Sequence, residues 1–194
     1  MRIFLAFCFL VSPTFTPAQT TAIDALKLAS TDQERLIAHL DLAQEMRTNL
    51  NECATKEDIM TLIEDWPFGA ASAGSNKDWA IVLTWNVESV AREQTYGGFV
   101  IFNNDKSDLG WGWVELEHSK KENIKDDGRS YKPNSWTGAL YYSMILKYQG
   151  KTPVYTMLGW DGADGLVTRK VIETMTINNG RLRIGVPCVE RENG

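Results

Sequence analysis

The side chains best suited to chemistry sit in one short segment, Trp111-Gly-Trp-Val-Glu-Leu-Glu-His118. Strand alternation places Trp111, Trp113, Glu115 and Glu117 on one face, and Gly112, Val114, Leu116 and His118 on the other. If Val114 and Leu116 face the core, two indoles and two carboxylates line up on the outside. Flat aromatic rings stack on sugar rings, and carboxylates accept hydroxyl hydrogen bonds or act as general acid and base. Trp111, Trp113, Glu115 and Glu117 are therefore the candidate ligand-binding surface for a glycan. Glu115 and Glu117 are also the candidate catalytic pair of a carboxylate-dependent polysaccharide hydrolase. Two glutamates at i and i+2 lie about 7 Å apart along one strand, whereas glycosidase carboxylates face each other across the bound sugar. The competing structural arrangement packs the indoles beneath a helix or loop and leaves the glutamates solvated.

A second cluster is Trp160-Asp-Gly-Ala-Asp-Gly165. Asp161 and Asp164 are weak metal candidates, because the third carboxylate and the closing glutamate of a calcium loop are missing. The stronger reading is a turn in which Asp161 accepts backbone N–H bonds, the glycines take positive φ, and Arg169 or Lys170 pairs with Asp161. The same turn reading holds for Asn103-Asn-Asp-Lys-Ser-Asp108. The chain has only two histidines, His39 and His118, and no Gly-x-Ser-x-Gly, His-Glu-x-x-His or P-loop string. No cofactor is implied.

The elements that must position these residues divide the chain in two. Thr31-Asp-Gln-Glu34 and Thr55-x-x-Asp58 are capping boxes for two helices, and a shorter helix precedes them. In the first boxed helix, Leu36, Leu40, Ala43 and Leu50 form one stripe. Trp66-Pro67 ends the helical part. Residues 70–77 read as a small-residue loop. From Asp78 the period becomes two: Trp79, Ile81, Leu83, Trp85 and Val87 alternate with Ala80, Val82, Thr84 and Asn86. Strands follow over 97–102, 110–118, 138–148, 153–160, 168–177 and 181–186, with a type I′ turn expected at Asn179-Gly180. The hairpin 138–160 is apolar on both faces, which predicts a place near the middle of a sheet. Residues 119–134 read as a charged surface loop. The fold class is α+β: N-terminal helices (19–65) packed on a largely antiparallel meander of about seven strands (78–187) in a single domain, 19–194.

The first 18 residues read as a cleavable signal peptide. Met1-Arg2 is followed by an apolar run from Ile3 to Val11, too short to span a bilayer, and then by Ser12-Pro-Thr-Phe-Thr-Pro-Ala18. The expected location is periplasmic or extracellular. In that oxidising setting Cys53 and Cys188 form either a disulfide, worth about 4–5 kcal/mol across so long a loop, or two buried thiols. The net charge is −5. No basic run is visible, so nucleic acid and anionic lipid are excluded as expected partners, and no second apolar segment predicts a membrane span.

Several strings resemble a family of uncharacterised exported bacterial proteins. They are Trp66-Pro67-Phe68, Thr84-Trp85-Asn86, Trp136-Thr-Gly-Ala-Leu-Tyr-Tyr142, Leu158-Gly-Trp-Asp-Gly162 and Arg169-Lys170-Val171-Ile172. The Gly-Ala-Leu-Tyr-Tyr and Leu-Gly-Trp-Asp-Gly strings carry most of the resemblance, which implies export and one β-rich domain but no activity. The sequence thus points to an exported, non-catalytic binding or structural protein of the bacterial cell envelope, with a glycan or an envelope protein as its partner.

Overall fold

The computed structural model describes residues 19–119, 130–163 and 166–187. The segment expected to be a signal peptide, Asp164 and Cys188 lie outside these residues. Three helices come first: α1 (Gln19–Leu28), α2 (Asp32–Glu52) and α3 (Lys56–Ile63). Both capping boxes are made: Thr31 accepts from Glu34 N while Glu34 accepts from Thr31 N, and Thr55 and Asp58 repeat the exchange. The buried stripe of α2 is Ala38, Leu42, Ala43, Met46, Asn49 and Leu50. This corrects the expected stripe, since Leu36 and Leu40 are about half exposed. The helix is apolar on more than one flank, so spacing alone does not select which flank meets the sheet.

Eight strands follow, all pairing antiparallel with their sequence neighbours, in two four-stranded sheets. The first holds β1 (Gly69–Ala73), β2 (Ala80–Glu88), β3 (Gln94–Asn103) and β4 (Trp111–Glu117). The second holds β5 (Leu140–Gln149), β6 (Thr152–Asp161), β7 (Arg169–Asn178) and β8 (Arg181–Ile184). The α+β class and antiparallel order expected from the sequence hold, with eight strands in place of seven.

The extra strand is β1, where a loop was expected. Its Ala and Ser side chains let the second sheet come close: a methyl added at Gly69 would sit 3.0 Å from the Tyr141 carbonyl and 2.5 Å from Thr84 Oγ1. Small residues here are a packing requirement, not a loop signal. The hairpin 138–160 also needs correcting. Its first arm, β5, is an edge strand of the second sheet, not a central one.

The first sheet is covered on both faces. Trp79, Ile81, Leu83 and Trp85 of β2 meet the helices together with Phe99, Ile101 and Trp111. Ala80 and Val82 face the second sheet together with Val100, Phe102 and Leu116, and meet its Tyr141, Met157 and Met175. The layers therefore run helices, first sheet, second sheet. That is why β2 is apolar on both faces despite its antiparallel pairing. At Asn179 and Gly180, φ is 52° and 75°, the two left-handed residues that a type I′ turn needs.

Candidate functional site

The strand that carried the sequence-level candidates is β4, and its candidate face is closed. Val114 and Leu116 point between the sheets, and α2 lies across the opposite face. Trp111 is 4 % exposed. Trp113 packs edge-on against Phe99 at 5.6 Å, and Phe99 stacks on Trp85 at 6.0 Å. Trp66 closes the row over Trp85. Of the two arrangements the sequence leaves open for Trp111 and Trp113, an outer platform or indoles packed beneath a helix, the structure has the second. The first sheet needs an apolar lid, and α2 provides it.

Glu115 is taken by the same helix. Arg47 Nε and Nη2 donate to its two carboxylate oxygens at 2.7 and 2.8 Å, a bidentate fork. Glu117 is exposed, one step along the strand. The two glutamates project from one strand, and one of them has both oxygens occupied. No gap for a sugar opens between them, so the geometry does not support Glu115 and Glu117 as an acid–base pair. Beside them, Trp85 Nε1 donates to His39 Nδ1 at 2.9 Å, which fixes His39 as the neutral tautomer protonated on Nε2. Burial pushes the His39 pKa down, His118 adds to this, and Glu115 opposes it.

Asp161 behaves as the turn reading requires. It accepts from Ala163 N at 2.9 Å, and Arg169 lies 3.7 Å from its second oxygen. The positive φ in the turn falls on Ala163 (47°), not on Gly162. Tyr96, from the other sheet, donates to Asp161 at 2.8 Å and accepts from Gly162 N at 2.8 Å. Burial is the main reason that the Tyr96 hydroxyl is pushed well above its usual range. Among the described residues no three His, Cys, Asp or Glu side chains gather as a metal site. Cys53 is buried, and its thiol is pushed up to about 11 by burial, with Asp58 and Glu52 adding to it.

A second polar group lies between the sheets. Trp136 Nε1 donates to the Tyr141 hydroxyl at 2.9 Å, and Tyr141 donates to Glu173. Trp136 and Tyr141 are fully buried. Loss of water pushes the Glu173 carboxyl up to about 8. Its partners are structural rings, and it serves as an internal tie.

What stands open is the outer face of the second sheet. There Tyr142, Ile145 and Ile172 are 54, 48 and 74 % exposed, while Tyr148 turns to the other face and donates to Asp78 at 2.7 Å. Leu158 of β6 bridges the exposed three, paired with Ser143 on one side and Ile172 on the other. Lys170 Nζ lies 5.5 Å over the Tyr142 ring. The sequence analysis treated these residues as sheet interior. The usable signal was that both faces of 138–160 are apolar while only one of them has a partner layer.

The fold also gathers cations that the sequence scatters. Lys106, Arg181 and Arg183 line one concavity at the β7–β8 hairpin. This corrects the expectation that no basic patch forms. Among the described residues no helix is long and apolar enough to cross a membrane. Compared with known proteins, the chain matches no family model, no curated protein and no solved structure.

Proposed function

We propose that this chain is an exported, non-catalytic binding protein of the bacterial cell envelope, and that it docks a partner protein on the outer face of its second sheet. The observation that carries this reading is the exposed set Tyr142, Ile145 and Ile172, joined by Leu158, on one face of adjacent strands. Contiguous apolar surface of this kind marks interaction sites, and aromatic residues are enriched where partners bind. Branched aliphatic side chains favour a protein over a sugar, whose rings stack on flat aromatics. Lys147 and Lys170 share that face, which suits a partner with an apolar centre and an acidic rim. The first 18 residues, and the resemblance to exported bacterial proteins, support the location.

The test is a photo-crosslinking residue placed at Ile172 in the full-length chain in cells, with the same residue at Leu28 as control. A discrete protein adduct in the envelope fraction, specific to the Ile172 position and abolished by Tyr142→Asp, is expected. No adduct, or equal labelling from both positions, overturns the docking face. An adduct between two copies of this chain redirects the reading to self-association. The hydrolase alternative has no observation in its favour, because Arg47 occupies Glu115.

A further inference from the structure

The β7–β8 hairpin holds a site of a different kind. Thr176 pairs with Arg183 and Asn178 with Arg181, and burial of Leu182 and Ile184 turns both arginines to the outer face. Asn104 from the first sheet lies against this hairpin: its side-chain nitrogen would be 3.3 Å from a methyl added at Gly180. That contact brings the 104–109 loop alongside and adds Lys106 to the arginines. Together with Asn179, these six residues line a concavity of about 630 Å³.

Its lining is one-sided in charge. Lys106, Arg181 and Arg183 are cations, Thr176, Asn178 and Asn179 carry hydroxyl and amide donors, and among the described residues no carboxylate lines the wall. None of the three cations is ion-paired among the described residues. Of the nearby loop carboxylates, Asp105 is engaged by the Asn103 side chain at 2.7 Å, and Asp108 lies two residues beyond Lys106. In a chain of net charge −5, three cations around one hollow with no ion-pair partner among the described residues are a local reversal of sign. Guanidinium groups present flat forks that match the oxygens of phosphate and sulfate. Two arginines at i and i+2 on one strand face lie about 7 Å apart, so they can grip one oxyanion group from two sides.

We propose that this concavity is a binding site for a phosphoryl or sulfuryl group, presented by a ligand larger than one inorganic ion. It lies on the same outer face as the docking patch, at the β7–β8 end, but shares no residue with it, so either assignment can fail without the other.

The experiment follows arginine Nε–Hε and backbone amide resonances of the full chain. The probes are inorganic pyrophosphate, glucose 6-phosphate, and vesicles of phosphatidylcholine with or without phosphatidylglycerol. Saturable shifts at Arg181, Arg183, Thr176 and Asn178 with at least one phosphate-bearing probe are expected, weakening as salt is raised. The double variant Arg181→Gln/Arg183→Gln should weaken binding by about tenfold or more, the factor for losing one charge-assisted contact. Lys151→Gln, on the far hairpin, should leave it unchanged. Tighter binding of the sugar phosphate than of pyrophosphate identifies a phosphorylated saccharide. Binding only to the anionic vesicles identifies a lipid head group. Absence of shifts with every probe, or binding that survives the double variant, overturns the site.

Discussion

Arg47 of α2 and Glu115 of β4 are joined by two hydrogen bonds, at 2.7 and 2.8 Å, across the seam between the helical layer and the first sheet. Their positions are 68 residues apart, so the pair fixes where a long helix lies on a distant strand. Glu115→Gln should keep the shape and lose the charge. It should cost about 2 kcal/mol, or roughly 4–8 °C in melting temperature for a chain of this size. Thermal unfolding of the two proteins side by side checks this. An unchanged midpoint would show that the fork contributes nothing to holding α2.

His39 makes acid a specific threat to the helical layer. Burial lowers its folded-state pKa below the usual value near 6.5. The unfolded chain therefore binds the extra proton more readily, and stability falls as the pH drops through about 6.5. Protonation also places a hydrogen on Nδ1, which now accepts from Trp85. His39→Gln should flatten the acid limb of a stability-against-pH curve measured by denaturant unfolding. A variant curve that keeps the wild-type slope below pH 6.5 would clear His39 of the effect.

Glu173 acts in the opposite direction. Its carboxyl is raised to about 8 between the sheets. From about pH 4.5 to 8 the folded chain keeps a proton that the unfolded chain has released, so stability declines as pH rises through that window. Glu173→Gln keeps a partner for Tyr141 and cannot ionise. The variant should match wild type near pH 5 and exceed it at pH 8. Equal stability at both values would mean that the carboxyl ionises without penalty in the folded state.

Tyr96 holds the Asp161 turn through one oxygen that both donates and accepts. Tyr96→Phe should speed amide hydrogen exchange at Gly162 and Ala163 while leaving the β2 amides protected. Because Asp161 is already engaged by Tyr96, Ala163 and Arg169, a chelator should leave the melting temperature unmoved. A downward shift on chelation would return Asp161 to the list of metal ligands.

Gly97 makes room for the Trp85 indole. A methyl at that position would fall 2.3 Å from the ring, and Trp85 is fully buried under α2. Gly97→Ala should destabilise by about 1–3 kcal/mol, the usual cost of overpacking a filled core. Adding Trp85→Phe should recover part of the loss, and failure of that rescue would locate the strain elsewhere.

These relationships differ in how far the sequence announces them. The capping boxes at Thr31 and Thr55 are legible because both partners lie within one turn. The alternation over 79–87 is legible because both faces are apolar and neither pattern is interrupted. Which layer covers which face is not local information. Trp111 and Glu115 look like an outer face until α2 is laid over them, and α2 itself offers more than one apolar flank. The 69–73 strand hides behind small residues whose purpose is the approach of Tyr141. Lys106 is separated from Arg181 by most of the β region, so no window along the chain contains the basic hollow. The exposed face of Tyr142 and Ile172 is the mirror case, in which each strand looks buried until the absence of a covering layer over the second sheet is noticed.

The wall that β2 forms between two separate interiors has a consequence for how the chain can vary. Trp85 belongs to one compartment and Thr84 to the other, where its hydroxyl accepts from Tyr141 N at 3.0 Å. Exchanging a side chain disturbs one compartment alone. Inserting or deleting a single residue between Trp79 and Trp85 would turn every later side chain of the strand to the opposite room, sending indoles toward the methionines and alanines toward the helix. Length, more than composition, is what this partition cannot tolerate losing.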